Sequence, residues 1–214
     1  MLPNWQLLRR RALKPPVEVL MSTSMSILVI PAISSLHPHL SHAFPPSRIK
    51  ETLPAEVLKK MYAPEQDASI PIATPDILTK YDAFLFGVPT RYANYSAQWK
   101  TFIDHLGGLW QSGGLYGKYF GLFVSTGTMG GGQEATALQA LSSWVHQGMI
   151  YVPLGYAKAF PILADLSEVR GGSPWGAGTF SGADGSRQPT PKELELAEIQ
   201  GKSFYELVSR VNFA

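Results

Sequence analysis

No cysteine occurs among the 214 residues. That excludes a disulfide scaffold, thiolate metal sites and a Cys nucleophile. Charge is sparse as well: Asp, Glu, Lys and Arg make up 16% of the chain and the formal net charge is +2. Without a dense basic face, a nucleic-acid partner has no electrostatic support. No run approaches the roughly 20 apolar residues of a membrane span, so no integral membrane segment is expected. No Asp/Glu/His group has metal-site spacing, so no metal is expected, and no Ser–His–Asp arrangement can be defended. What is present, a 45% hydrophobic content, suits one soluble domain with a buried sheet.

Regular structure is also scarce before residue 50. Pro3, Pro15, Pro16, Pro31, Pro38, Pro45 and Pro46 punctuate short apolar runs. Arg9, Arg10, Arg11 and Lys14 precede the first acidic residue, Glu18. This composition leaves two readings, an unstructured tail or a mitochondrial transit segment. The tail is the simpler one, and a cytoplasmic location is expected, with or without peripheral attachment to a membrane. The expected division is a disordered tail over residues 1–25, a diverged N-terminal segment over 26–50, and one α/β domain over 51–208. Within 26–50, the run SILVI at residues 26–30 reads as a strand stopped by Pro31, and no helix follows it.

From residue 50 the pattern is regular. Residues 54–61 suit a short helix. Residues 82–88 (DAFLFGV) and 118–124 form continuous apolar runs, as in strands covered on both faces. Between them, Trp99, Phe102, Ile103 and Leu106 recur on one face of a helix over 96–106. Residues 134–147 form a second helix, with Leu138, Leu141 and Val145 on one side, and 149–154 a third strand. Strands alternating with helices imply a parallel sheet with helices on both faces. Residues 155–189 are rich in Gly, Pro and Ser and read as an irregular excursion. Thr190, Pro191 and Glu193 then spell a helix start with a capping box, and that helix runs to about Val211.

In an open parallel sheet, ligands bind outside the carboxyl ends of the strands. Two loops leave such ends. Residues 89–95 (PTRYANY) offer amides, Arg91, Asn94 and two aromatic rings, which suit a planar, electron-accepting ring or simply a polar loop. Residues 125–132 (STGTMGGG) place three hydroxyls and a glycine run after a buried strand, which suits close backbone approach to a ligand or an ordinary turn. The second loop is neither a Walker loop nor a GxGxxG fingerprint. Trp110 lies in a Gly-rich stretch read as a flexible loop. His146, near the end of the second helix, is isolated.

These segments in this order, PTRY at 89–92, GGLW at 107–110, STGT at 125–128 followed by GGGQ at 130–133, GGSPWGAG at 171–178 and DGSRQP at 184–189, closely resemble the WrbA-type NAD(P)H:quinone oxidoreductases. The fungal members look nearest, and the likeness spans residues 51 to about 208. The resemblance implies a flavodoxin-like fold with parallel strand order 2-1-3-4-5, a homotetramer, and bound FMN. It implies two-electron transfer from the co-substrate NAD(P)H to a quinone substrate. Thr90, Arg91, Tyr92 and Asn94 would hold the flavin ring. Ser125, Thr126, Gly127, Thr128, Met129 and Gly130 would wrap its other edge, His146 would reach the site from its helix, and Trp110 would line the substrate pocket. No catalytic acid or base is singled out.

Two departures stand out. Members of that family open with a strand, a hydroxyl-rich loop and a long helix that cradle the FMN phosphate. Here residues 30–37 read IPAISSLH, and only Ser34 and Ser35 offer hydroxyls, so the first strand–helix unit is diverged or incomplete. Either residues 1–50 come from a mis-joined coding region, or the chain is a member with weakened FMN binding and no catalytic role. Second, Ala93 stands where the family usually has Gly, and a positive φ there would cost about 1 kcal/mol or more.

Overall fold

The computed structural model describes residues 26–30, 46–61, 63 and 65–213, with residues 26–30 described by their backbone. The tail, the transit segment and Ser34 and Ser35 lie outside the described residues.

Two neighbouring strands form the centre, β3 (Ala83–Pro89) and β4 (Tyr119–Thr126), paired in parallel from Ala83↔Tyr119 to Pro89↔Ser125. Their side chains alternate between two apolar layers, as a period of two requires. Phe84, Phe86, Phe120 and Leu122 pack against helix α3 (Ala97–Asp104) and helix α5 (Gln133–His146). Ala83, Leu85 and Phe123 face the other way, against helix α7 (Pro191–Val208). Helices therefore cover both faces, as expected. The periodic residues of α3 also behave as read: Trp99, Phe102 and Leu106 are buried and Ile103 packs against them.

On α5 the buried face only partly matches the expected one: Leu141 packs against the core. Ala137, Ala140 and Trp144 point inward, while Leu138 and Val145 are exposed at 49% and 62%. The small alanines let the helix approach the sheet closely, and the Trp144 ring stacks on Phe86 at 4.3 Å between centroids. Hydrophobicity alone favoured the larger residues; close packing selected the smaller ones.

The strand order is β2-β1-β3-β4-β5, with β1 at Ser26–Ile30, β2 at Pro46–Arg48 and β5 at Ile150–Tyr151. The order is the one expected, with one reversed member. Strand β1 runs antiparallel to both neighbours, with Ser26 opposite Gly87 and Ile30 opposite Ala83. Two antiparallel steps leave β2 pointing the same way as β3. Parallel pairing of consecutive strands needs a long crossover, usually a helix, and residues 31–45 carry three prolines instead.

The third expected strand, 149–154, shortens to Ile150–Tyr151, and a further strand forms in the stretch read as irregular. Strand β5 pairs with the start of β4, and β6 (Gly178–Phe180) pairs with its end. The excursion between them holds a short helix, α6 (Phe160–Leu163). Sequence periodicity also missed α2 (Pro75–Thr79) and α4 (Gly107–Ser112), while α1 (Ala55–Lys60) falls where a short helix was read. Trp110 therefore sits on a helix, closed by Gly113 at φ +68°, and not in a loop. The capping box that starts α7 forms with both bonds present.

Candidate active site

The two loops expected to bind a ligand lie side by side, because β3 and β4 end in register. The Thr90 N–H donates to the Ser125 carbonyl at 2.8 Å, joining them at the base. The Thr90 hydroxyl donates to Thr136 Oγ1 at 2.7 Å, which in turn donates to the Gly132 carbonyl. Thr90 thus ties the loops to the start of α5.

Arg91 and Asn94 exchange backbone bonds of 2.9 and 3.0 Å. Between them Tyr92 and Ala93 have φ +51° and +59°, so the loop is a tight turn of the primed type. The positive φ considered for Ala93 is present. Its methyl lies against Gly132, where φ is +87° and where a Cβ would meet that methyl at 2.9 Å. One loop thus leaves no room for a side chain on the other. The turn presents Tyr92 wholly to solvent. The Arg91 guanidinium, also exposed, caps the Thr90 carbonyl at 2.8 Å. Asn94 Oδ1 accepts from the Tyr95 N–H at 2.7 Å, so its side chain shapes the turn.

In the second loop, Thr126 is buried and its hydroxyl donates to the Thr128 carbonyl at 2.9 Å. Thr128 and Met129 are exposed, and space beside Gly130 is open. A third wall comes from the excursion, a contribution that no sequence pattern assigned. Gln133 clamps it: Nε2 donates to the Thr179 carbonyl, and Oε1 accepts from the Gly172 N–H, both at 2.8 Å. Glu193, fully buried, accepts from Arg187, Thr179 Oγ1 and the N–H groups of Gly171 and Thr190. The Arg187 guanidinium also sits over the Phe180 ring, 5.6 Å from its centroid. Charge-assisted bonds of this kind rigidify a loop that has little core of its own.

Two recesses result. One of about 450 Å³ lies between residues 127–130 and Phe180, Gly182 and Arg187. The other, about 440 Å³, lies between residues 129–135 and Arg170, Ser173 and Phe180. Glu51 is a further residue to which sequence reasoning gave no site role. Burial opposes its ionisation, but bonds from Gln98 and from the N–H groups of Leu53 and Thr52 outweigh this, aided by the Arg91 charge. Its carboxyl is held below the usual range. It links the segment after β2 to α3 and feels the Arg91 charge.

Thr90, Arg91, Tyr92 and Asn94 therefore share one sheet edge with Ser125, Thr126, Gly127, Thr128, Met129 and Gly130. His146 and Trp110 do not join them. His146 is the last residue of α5, about 20 Å from its first by helix rise. Trp110 is exposed on α4, before β4 begins, and the Gly117 N–H there bonds to the Gly148 carbonyl just past His146. Both lie at the opposite edge of the sheet within one chain.

The donor set fits the ring and polyol part of a flavin: exposed amides, an exposed Arg, a solvent-facing Tyr and a glycine backbone open to close approach. It does not supply the phosphate part through β1, whose carboxyl end lies at the far edge beside Ala83. Among the described residues, no group of His, Asp or Glu could hold a metal, and no helix is long and apolar enough to cross a membrane.

Comparison with known proteins agrees with this geometry. A family model described as NADPH-dependent FMN reductase matches residues 49–159. The chain is 61% identical over 163 residues to the NAD(P)H quinone oxidoreductase PST3 of Candida albicans, covering 76% of this chain and 81% of that protein. It is 63% identical over 167 residues to the minor allergen Cla h 7 of Davidiella tassiana, covering 78% and 81%. Among solved structures it resembles a flavodoxin, WrbA-like protein from Agrobacterium tumefaciens. There the TM-score is 0.51 at 21% identity, covering 73% of this chain and 87% of that one, a likeness of fold.

Proposed function

This chain belongs to the NADPH-dependent FMN reductase family, and we propose from that premise that it is an FMN-dependent NAD(P)H:quinone oxidoreductase. The observation that carries the reading is the pair of joined loops at the carboxyl edge of β3 and β4, walled by Phe180 and Arg187. FMN, when bound, would supply two-electron, hydride-transfer chemistry between NAD(P)H and a quinone. Arg91 would hold the ring and offset negative charge that develops on it, and the amides of residues 125–130 would hold its other edge and the ribityl side. Tyr92 offers its face to a flat ring. Gly127 and Gly130 let the backbone come close. NAD(P)H and quinone stacking on one shared face would alternate, which implies ping-pong kinetics.

The homotetramer implied by the resemblance belongs to this proposal. The exposed Leu138 and Val145 of α5 supply apolar surface for it, and contact between subunits is the arrangement that would bring His146 and Trp110 near a flavin. A monomer mass by light scattering would refute it. A cytoplasmic location is proposed too, and co-fractionation with mitochondria would overturn it.

The test is NAD(P)H oxidation by the purified chain with FMN and a quinone. Oxidation that requires the quinone is expected. Its absence at saturating FMN would favour the second reading, a non-catalytic protein of this fold, which the reversed β1 motivates. Arg91→Ala sharpens the assignment. It should lower kcat/KM by about ten- to a hundredfold and leave the melting temperature nearly unchanged, because the side chain is exposed. Parallel losses in both would remove Arg91 from the flavin site.

A further inference from the structure

We infer that the described residues hold flavin by its ring and ribityl side alone and offer no cradle for the terminal phosphate, so that riboflavin and FMN are equivalent ligands. The inference rests on the flavin site proposed above.

In this strand order the flavin position is the switch point between β1 and β3. A phosphate is held there when β1 ends at that edge and a helix N-terminus follows, aiming its amides at the anion. Here Ser26, not Ile30, lies beside Gly87 at the flavin edge, and the chain leaves β1 next to Ala83 at the other end of the sheet. The carboxyl end of β1, at Ile30, is thus at the edge away from Gly87.

The other long helices among the described residues do not substitute. At α3 the Ser96 hydroxyl already accepts from the Trp99 N–H. At α5 the first turn carries Glu134, which repels an anion. At α7 the capping box already engages two amides, the Glu193 N–H donating to Thr190 Oγ1 and the Thr190 N–H to the Glu193 carboxylate. Arg187, which lines the recess beside residues 127–130, is committed to that same carboxylate through two nitrogens. The ring loops remain intact, so recognition falls on the part of the ligand that riboflavin and FMN share.

A charge-assisted hydrogen bond is worth about tenfold or more in affinity, so a cradle of three would favour FMN by about a thousandfold. The experiment is an equilibrium titration of the full chain with riboflavin and with FMN, followed by flavin fluorescence at low and raised salt. Dissociation constants that differ by less than tenfold, with the same salt response, are expected. An FMN preference of tenfold or more, falling as salt rises, would overturn the inference and leave the proposed reductase standing. Failure of both flavins to bind would instead remove the flavin site itself, and this inference with it. Arg91→Ala gives an independent check. It should weaken both ligands by the same factor, and a loss confined to FMN would show that Arg91 reads the phosphate, against the inference.

Discussion

The two sides of the proposed flavin edge are built by different means. On the β3–β4 side, parallel strands buried on both faces end in register, and every loop they release is bonded to a neighbour: Thr90 to Ser125, Thr136 to Gly132, Gln133 to Thr179. On the β1 side, strand order is kept but direction is not. Direction decides which end of a strand meets the ligand. A strand can therefore complete a sheet, satisfying the ladder of β3, while withdrawing the loop that the site needs. Sheet integrity and site integrity are separable here, and the ring half of the site can be tested without the other half.

The largest expected effect breaks the built side from below. Trp144 is fully buried, stacked on Phe86 and edge-on to Trp99. Trp144→Ala should cost about 3–5 kcal/mol of stability through the cavity it leaves. Chemical denaturation would show it as a lower midpoint at unchanged slope, and a loss under 1 kcal/mol would mean that β3 and β4 do not depend on α5. Next comes the third wall. Glu193→Gln removes the carboxylate that balances Arg187 and anchors Thr179 and Gly171. With Arg187 partly exposed, the expected cost is about 2–3 kcal/mol. It should also weaken quinone-dependent turnover by loosening Phe180. Retained stability and turnover would make the network incidental.

How far the site was legible in the sequence follows from the kind of signal each part leaves. The ring loops follow continuous apolar strands, and burial on both faces writes itself as an unbroken run, so residues 89–95 and 125–132 were locatable. The start of α7 was legible because a capping box is a local pattern. The direction of β1 was not, because SILVI reads the same whichever way the strand pairs; only the prolines after it hinted that a parallel crossover was absent. The buried face of α5 was partly misread because Ala137 and Ala140 carry little hydrophobicity, although their small size is what admits Trp144 to the core. Gln133 and Glu193 were visible as members of motifs. Their clamp on the third wall depends on pairings 39 and 22 residues apart, which no local pattern reports.

A smaller effect, of opposite sign, sharpens the account of the built side. Ala93 holds φ +59°, a conformation that costs an L-residue about 1–2 kcal/mol. Glycine escapes that cost but loses more chain entropy on folding. Ala93→Gly should therefore stabilise by about 0.5–1 kcal/mol net, seen as a small rise in melting temperature. A fall would mean that the contact of the Ala93 methyl with Gly132 outweighs the strain.

The smallest effect probes where the two sides meet, at Glu51 after β2. Its carboxyl is held below its ordinary value of 4.5 by bonds from Gln98, Leu53 and Thr52 that outweigh burial. A depressed carboxylate contributes stability above its unfolded pKa and loses it as pH falls through the folded one. Wild-type protein should thus lose this contribution as pH drops below about 4.5. Glu51→Gln lacks the carboxylate at every pH, so the gap between the two proteins should be widest near neutrality and close on acidification. Solvent screening limits the gap to less than about 1 kcal/mol. Denaturation midpoints measured at intervals from pH 7 to pH 3 would reveal it. A gap that stays constant with pH would show that Glu51 serves through shape alone, and that the Arg91 charge on the ring side does not reach across to the end of β2.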